Sequence, residues 1–361
     1  MQTPIKANSI KKILIVRNDK LGDLLVSFST FAILKKNLPN TEIHVLVSKY
    51  TAPMAKMCKF IDQVIIDPSC DMNATPTKSN KVTTLTKLKQ TFDLTTQLKA
   101  QNYDAIITLF STLPIAFAAF IARIPIRIAP ATKIGQIFYN NRISQRRSRS
   151  EKPEHRYNQD LAEHLLSLLN ISPLKPVQAP FLEFNPETVK QLKLAFLKTH
   201  NIPNNHFLIF IHPGSGGSAR NLSSHQFAQL ANILAGSKPI TIVVSYGPNE
   251  EQTAQSVYAE ITQPKALYES KLGLESFSQH LQFADCFISG STGPLHIAGV
   301  LDRPTAAFYT RRRSATSLRW QTLNSKNNRL AFCPPDSSAA EDMSTIDLKQ
   351  AAIQIKRSFL Q

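Results

Sequence analysis

The sequence predicts an α/β protein built from two doubly wound parallel sheets, and three observations carry the prediction. Short β-branched runs alternate with helical spacing through the first half of the chain. A proline-dense stretch at Pro173, Pro176 and Pro180 then interrupts the pattern, and the same alternation restarts at residue 207. A chain of 361 residues also exceeds the usual single-domain size, so two units, each with its own core and with a cleft between them, are expected.

The elements follow in order. Residues 12–17 form a β-branched strand, 24–37 have helical spacing and 42–47 form a second strand; 64–66 and 105–109 continue the series. Residues 71–97, rich in Thr, Lys and Asn, read as a solvated loop leading into a helix. Residues 105–122 carry no charge and reach the lower edge of membrane-spanning length, but Pro114 beside Ser111 and Thr112 divides them into a buried strand and a capped helix. A basic segment at 142–156 reads as an exposed loop before a helix at 158–169. The second half gives strands at 207–211, 240–245 and 286–289 and helices at 224–234 and 252–258. The expected division is 1–175, a linker region at 176–205, 206–340, and a C-terminal helix at 341–361 able to pack back on the first domain.

With 42 Lys and Arg against 25 Asp and Glu, the formal charge of +17 predicts attraction to an anionic partner: nucleic acid, an acidic membrane surface or a phosphorylated substrate. The basic residues are not interleaved with aromatics in any nucleic-acid module, which disfavours the first. Cys58, Cys70, Cys286 and Cys333 have no metal or redox spacing, and the opening residues lack a signal-peptide core, so a reducing cytoplasm is expected.

In open α/β sheets ligands collect at the carboxyl ends of strands. After the first strand comes Arg17-Asn-Asp-Lys-Leu-Gly-Asp23, whose single Gly22 cannot supply a dinucleotide fingerprint. Asp23 reads either as a helix N-cap or as a general base at the cleft mouth. Ile211-His-Pro-Gly-Ser-Gly-Gly-Ser-Ala-Arg220 is a glycine-rich loop suited to a diphosphate, with Arg220 able to bond phosphate oxygens in pairs, or an ordinary surface loop. Glu250, in Tyr246-Gly-Pro-Asn-Glu250, either bonds ribose hydroxyls or begins a helix. Ser289-Gly-Ser-Thr-Gly-Pro-Leu-His296 is a strand-to-helix turn without bulky side chains, a phosphate seat or a capped helix start with Ser291 or Thr292 as N-cap. No Asp-x-Asp, His-Glu-x-x-His, lysine-bearing P-loop or Gly-x-Ser-x-Gly occurs, which disfavours metal hydrolysis, P-loop ATPase activity and serine hydrolysis; His212 and His296 read as packing or hydrogen-bonding residues.

Taken together, Ile13-Leu-Ile-Val-Arg-Asn-Asp-Lys-Leu-Gly-Asp23, Ile211-His-Pro-Gly-Ser215, Gly247-Pro-Asn-Glu250 and Ser291-Thr-Gly-Pro-Leu-His-Ile-Ala298 resemble the ADP-heptose:lipopolysaccharide heptosyltransferases, glycosyltransferase family 9. The resemblance spans nearly the whole chain. It implies a GT-B architecture of two Rossmann-like domains and an inverting transfer of heptose from ADP-heptose to the Kdo/heptose inner core of lipopolysaccharide, without metal or other cofactor.

By the same resemblance, Asp23 matches the base. Ser215, Arg220, Glu250, Ser291, Thr292, Gly293, Pro294, Leu295 and His296 match the donor site, and Lys20, Gly22, Arg146, Arg147 and Arg149 are placed to meet an anionic lipid A acceptor at the inner face of a Gram-negative inner membrane. Ser291 departs from the aspartate usual in the family, removing a charge that could touch the donor sugar. Another sugar-nucleotide donor, a GT-B epimerase and a non-catalytic carbohydrate- or lipid-binding member are the alternatives.

Overall fold

A computed structural model describes residues 9–69, 84–132, 134–217, 220–236 and 238–360. Cys70, the first part of the expected loop at 71–97, and positions 218 and 219 of the glycine-rich loop lie outside the described residues. The chain divides into two units, Met1–Arg147 with Glu154–Val177, and Ser148–Pro153 with Gln178–Gln361.

In the first unit, β1 (Lys12–Val16), β2 (Glu42–Val47), β3 (Gln63–Ile66), β4 (Ala105–Thr108), β5 (Ile126–Pro130) and β6 (Asn141–Ile143) form one sheet in the order β3-β2-β1-β4-β5-β6. All neighbours are parallel, with Ile13 beside Ile43 on one side and Ala105 on the other. Helices α1 (Leu21–Val26), α2 (Phe28–Asn37), α3 (Ala52–Lys56), α4 (Thr84–Ala100), α5 (Leu113–Ile121) and α6 (Glu154–Leu168) complete it. β1 is β-branched and apolar on both faces because helices cover both, as a parallel sheet requires. The charge-free stretch divides at Pro114 into β4 and α5, and no helix among the described residues is long and apolar enough to cross a membrane.

The second unit repeats the plan. β7 (Phe207–His212), β8 (Ile240–Tyr246), β9 (Lys265–Glu269), β10 (Cys286–Gly290), β11 (Thr305–Phe308) and β12 (Arg329–Phe332) are ordered β12-β11-β10-β7-β8-β9, again parallel throughout. With α7 (Pro186–Thr199), α8 (Ser224–Ile233), α9 (Glu251–Glu260), α10 (Gly273–Leu281), α11 (Gly293–Val300) and α12 (Leu348–Phe359), each unit has the strand order 3-2-1-4-5-6 counted from its own first strand. The order reverses between β1 and β4 and between β7 and β10, the switch points at which open α/β sheets collect their ligands.

Three expectations need correction. The helix expected at 24–37 starts earlier, at Leu21, and breaks at Ser27, whose hydroxyl donates to the Asp23 carbonyl at 2.8 Å and also receives Asn158 Nδ2 at 3.2 Å. A serine hydroxyl bonded back to the i−4 carbonyl commonly bends a helix. The expected linker at 176–205 contains α7, anchored by Phe196, which is buried and meets the rings of Phe210 and Phe283. The segment at 142–156 is not an open loop: it carries β6, a 3₁₀ turn at Arg147–Arg149 and the start of α6. The C-terminal helix α12 buries Leu348, Ala351, Ala352 and Ile355 in the core of the second unit, with Lys356 Nζ on the Ala235 carbonyl at 2.5 Å.

Candidate active site

The loop after β1 is organised by Arg17, the last residue of an otherwise apolar run and one of the largest fully buried side chains. Its Nη1 donates to the Leu109 carbonyl at 3.3 Å, which joins the loops after β1 and β4. Its Nε donates to the Asp23 main-chain carbonyl at 3.1 Å, and its Nη2 donates to Asp23 Oδ1. Asp19 Oδ1 lies 3.1 Å from Nε and Glu154 Oε1 lies 3.5 Å from Nη2. Burial alone would lower the Arg17 pKa, but three carboxylates around one guanidinium raise it above its ordinary value, so the cation is permanent.

Asp23 is not the N-cap of α1; it lies inside the first turn. The N-cap position of α1 is the exposed Lys20, in extended backbone with no side-chain cap bond; Gly22 and Asp23 lie in the first turn. A carboxylate there is favoured by the helix dipole. Oδ1 is engaged by Arg17, whereas Oδ2 makes no hydrogen bond among the described residues. Asp19 differs: burial pushes its carboxyl up to about 7, against the pull of Arg17 and with the repulsion of Asp23 and Glu154. Of the basic residues expected to meet an acceptor, Arg147 is committed elsewhere, donating to Glu154 Oε1 at 2.6 Å and Gln145 Oε1 at 2.9 Å. Arg146 is exposed, and so is Arg149, whose nearest carboxylate is Glu151 at 3.6 Å.

The second unit gathers its candidates at the ends of β7, β8 and β10. Glu250 does more than begin α9. It accepts from the Gly216 N–H at 3.2 Å and the Gly247 N–H at 3.0 Å, and its Oε2 lies 3.3 Å from His212 Nε2. A carboxylate can only accept, so His212 carries a proton on Nε2, while Nδ1 meets Ser245 Oγ at 3.1 Å. Burial would raise the Glu250 pKa, but these donors outweigh it and hold the carboxyl below its ordinary value. A Cβ on Gly214 would stand 2.2 Å from the Glu250 carboxyl, which is why the loop needs glycine there; Gly216 and Gly217 then turn it with φ of 51° and 73°. Ser215 is half-buried in this turn, and Arg220 is exposed, with no hydrogen bond or ion pair among the described residues.

At the end of β10, Thr292 is the N-cap of α11 and Pro294 occupies its first turn, with no side-chain cap bond. Thr292 Oγ1 instead pairs with Ser289 Oγ at 3.1 Å, so no side chain caps the Gly293 and Leu295 N–H groups, the kind of helix start that suits an anion. Gly290 is required by Asn221, whose Oδ1 would lie 2.5 Å from a Cβ; Asn221 Nδ2 also donates to the Pro213 carbonyl at 3.0 Å, so one side chain joins the two loops. Ser291 is half-buried at the turn and Leu295 is in the core. His296 is buried beside Trp320 with ring centroids 6.2 Å apart, and desolvation pushes its pKa down to about 4, so it is neutral. Among the described residues no His, Cys, Asp or Glu cluster is arranged to hold a metal ion.

Sequence reasoning missed Arg17, Asp19 and Glu154 as site residues. An arginine closing an apolar strand was the available signal, since such a side chain is buried only when paired.

Two Rossmann-like units of identical strand order define the fold shared with solved sugar-nucleotide transferases. The likeness extends over 97% of both chains for a glycosyltransferase family 9 structure from Veillonella parvula, at a TM-score of 0.77 and 15% identity. It covers 97% of this chain and 99% of the other for the Escherichia coli ADP-heptose lipopolysaccharide heptosyltransferase II, at 0.73 and 15%. A Haemophilus influenzae protein, whose name goes no further than a provisional glycosyltransferase, is 38% identical over 96% of each chain. A lipooligosaccharide heptosyltransferase 2 of Haemophilus ducreyi is 24% identical over 81% of each. Residues 91–340 match the model of glycosyltransferase family 9 (heptosyltransferase), and the chain belongs to that family.

Proposed function

We propose that this glycosyltransferase transfers heptose from ADP-heptose to the phosphorylated Kdo/heptose inner core of a lipid A acceptor, with inversion and with Asp23 as general base. The observation that carries the reading is the division of labour at Asp23: Oδ1 is fixed by Arg17 and Oδ2 is left to take a proton. The acceptor hydroxyl loses its proton to Oδ2 as its oxygen bonds to the anomeric carbon, and the bond from that carbon to the diphosphate breaks on the opposite face. Pairing with Arg17 fixes the direction of the Asp23 carboxylate, which geometry-dependent catalysis favours. The departing ADP needs charge stabilisation more than a proton. Arg220 and the free N–H groups at the start of α11 supply it, and Glu250, braced by His212, holds the glycine loop and offers a lone pair to ribose hydroxyls.

The charge of +17 and the exposed Arg146 and Arg149 support an acceptor bearing phosphates and acidic sugars, reached from the cytoplasmic side of the inner membrane. Ser291, where the family resemblance implies an aspartate, favours one second reading, a different sugar on the nucleotide. Calorimetry with ADP, UDP and GDP, followed by transfer to Kdo-lipid A with and without a first heptose, tests the assignment. Tight UDP binding without ADP binding would overturn it.

A further inference from the structure

Helix α5 is apolar all round, yet only one side of it is covered. Ile115, Ala116, Ala118 and Ala119 are buried, while Leu113, Phe117, Phe120 and Ile121 on the other side are exposed. A soluble helix of this composition would be enclosed. The 3₁₀ helix Ile134–Phe138 extends the bare side: Phe138 meets both Phe117 and Phe120 with ring centroids 5.5 Å apart, and presents Ile134 and Ile137, 79% and 67% exposed. Helix α4 packs on α5 through Leu94 and Leu98 and turns a second stripe, Leu85, Leu88 and Phe92, outward. Scattered exposed apolar residues are ordinary, but a patch shared by neighbouring elements marks an interaction surface.

The charge around the patch selects its partner. The described residues of 84–143 include Lys87, Lys89, Lys99, Arg123, Arg127 and Arg142 against Asp93 and Asp104 alone. Asp104 is turned inward, accepting the Lys11 and Lys12 N–H groups at 2.7 and 2.9 Å. Arg127 lies over the Phe120 ring at 5.5 Å. A second copy would bring like charges together, whereas anionic headgroups over an apolar interior match both features. The patch also adjoins the acceptor loop. α5 begins just past Leu109, whose carbonyl holds Arg17, and Ser111 Oγ bonds the Tyr139 hydroxyl at 3.0 Å, next to the 3₁₀ helix.

We propose that α5, the 3₁₀ helix and the outer stripe of α4 seat the protein on a bilayer rich in anionic phospholipid, with the apolar side chains in the headgroup boundary and the basic residues on phosphates. The proposal rests on the reading of a membrane-borne acceptor, which would then reach Asp23 without leaving the bilayer.

The test is flotation of the full chain with vesicles of phosphatidylethanolamine and phosphatidylglycerol, free of lipopolysaccharide, against vesicles of phosphatidylcholine. We expect at least tenfold stronger binding to the anionic vesicles, weakened by salt, and at least a tenfold loss in Ile134→Ser/Ile137→Ser with ADP affinity and melting temperature unchanged. Lys87→Glu/Lys89→Glu, on the exposed side of α4, should lower anionic binding without removing apolar surface. No vesicle binding by the native chain, equal binding by the variants, or a native dimer that Ile134→Ser/Ile137→Ser dissociates would overturn the proposal. Because the vesicles hold no acceptor, binding is scored apart from catalysis: native vesicle binding together with no heptose transfer in the separate assay on Kdo-lipid A would overturn the enzymatic reading and leave this one standing.

Discussion

Arg17 holds Asp23 at two points, the side-chain Oδ1 and the main-chain carbonyl, so the orientation of the proposed base is set by a cation buried beneath it. Asp19 and Glu154 share that cation. One guanidinium cannot neutralise three carboxylates, and the burden falls on Asp19, which burial already disfavours as an anion.

The Asp19 carboxyl, raised in the folded protein from 3.8 to about 7, makes a stability contribution that is complete below 3.8 and is lost as pH rises through about 7. Asp19→Asn removes it. The difference in unfolding free energy between native chain and variant, measured by urea titration, should fall between pH 4 and 7. A flat difference would contradict the placement of Asp19.

His296 titrates with the opposite sign. Its folded pKa is lowered from 6.5 to about 4, so its contribution is present above 6.5 and is lost as pH falls toward 4. Native chain minus His296→Gln should therefore gain stability with rising pH across that window, in the same titration that shows Asp19 losing it.

Gly214→Ala drives a Cβ into the Glu250 carboxyl and must dislodge the clamp on the glycine loop. ADP affinity by calorimetry should fall about tenfold, roughly 1.4 kcal/mol. Native affinity in this variant would show that Glu250 does not organise the donor site.

Arg220→Ala removes an exposed side chain that bonds nothing among the described residues, so its stability should stay within about 0.5 kcal/mol of native. Donor affinity should drop while ADP-free melting is unchanged. Equal donor affinity would leave the leaving diphosphate to the α11 N-terminus alone.

The two-sheet plan was legible because buried parallel strands write themselves as β-branched runs, and Asp23, Arg220, Glu250 and Thr292 stood out because each follows such a run. The edge strand β9 was not, since half-buried Lys265–Glu269 lacks a continuous apolar signal. Arg17 was visible but unassigned: its partners Asp19 and Asp23 are local, whereas Glu154 arrives only through the packing of α6. The bond from Asn158 to Ser27, where the helix breaks, likewise comes only with the packing of α6. Arg147 looked free in a basic run, and only tertiary structure pairs it with Glu154. The clamp at Glu250 needed the fold to bring Gly216 and His212 to it.

The most direct test of the central claim is turnover of Asp23→Asn with ADP-heptose and Kdo-lipid A, alongside ADP calorimetry. The asparagine keeps a hydrogen-bond acceptor for Arg17 but cannot take a proton. Turnover should fall by roughly a hundredfold or more with ADP affinity unchanged. Undiminished transfer in that variant would remove Asp23 as the base.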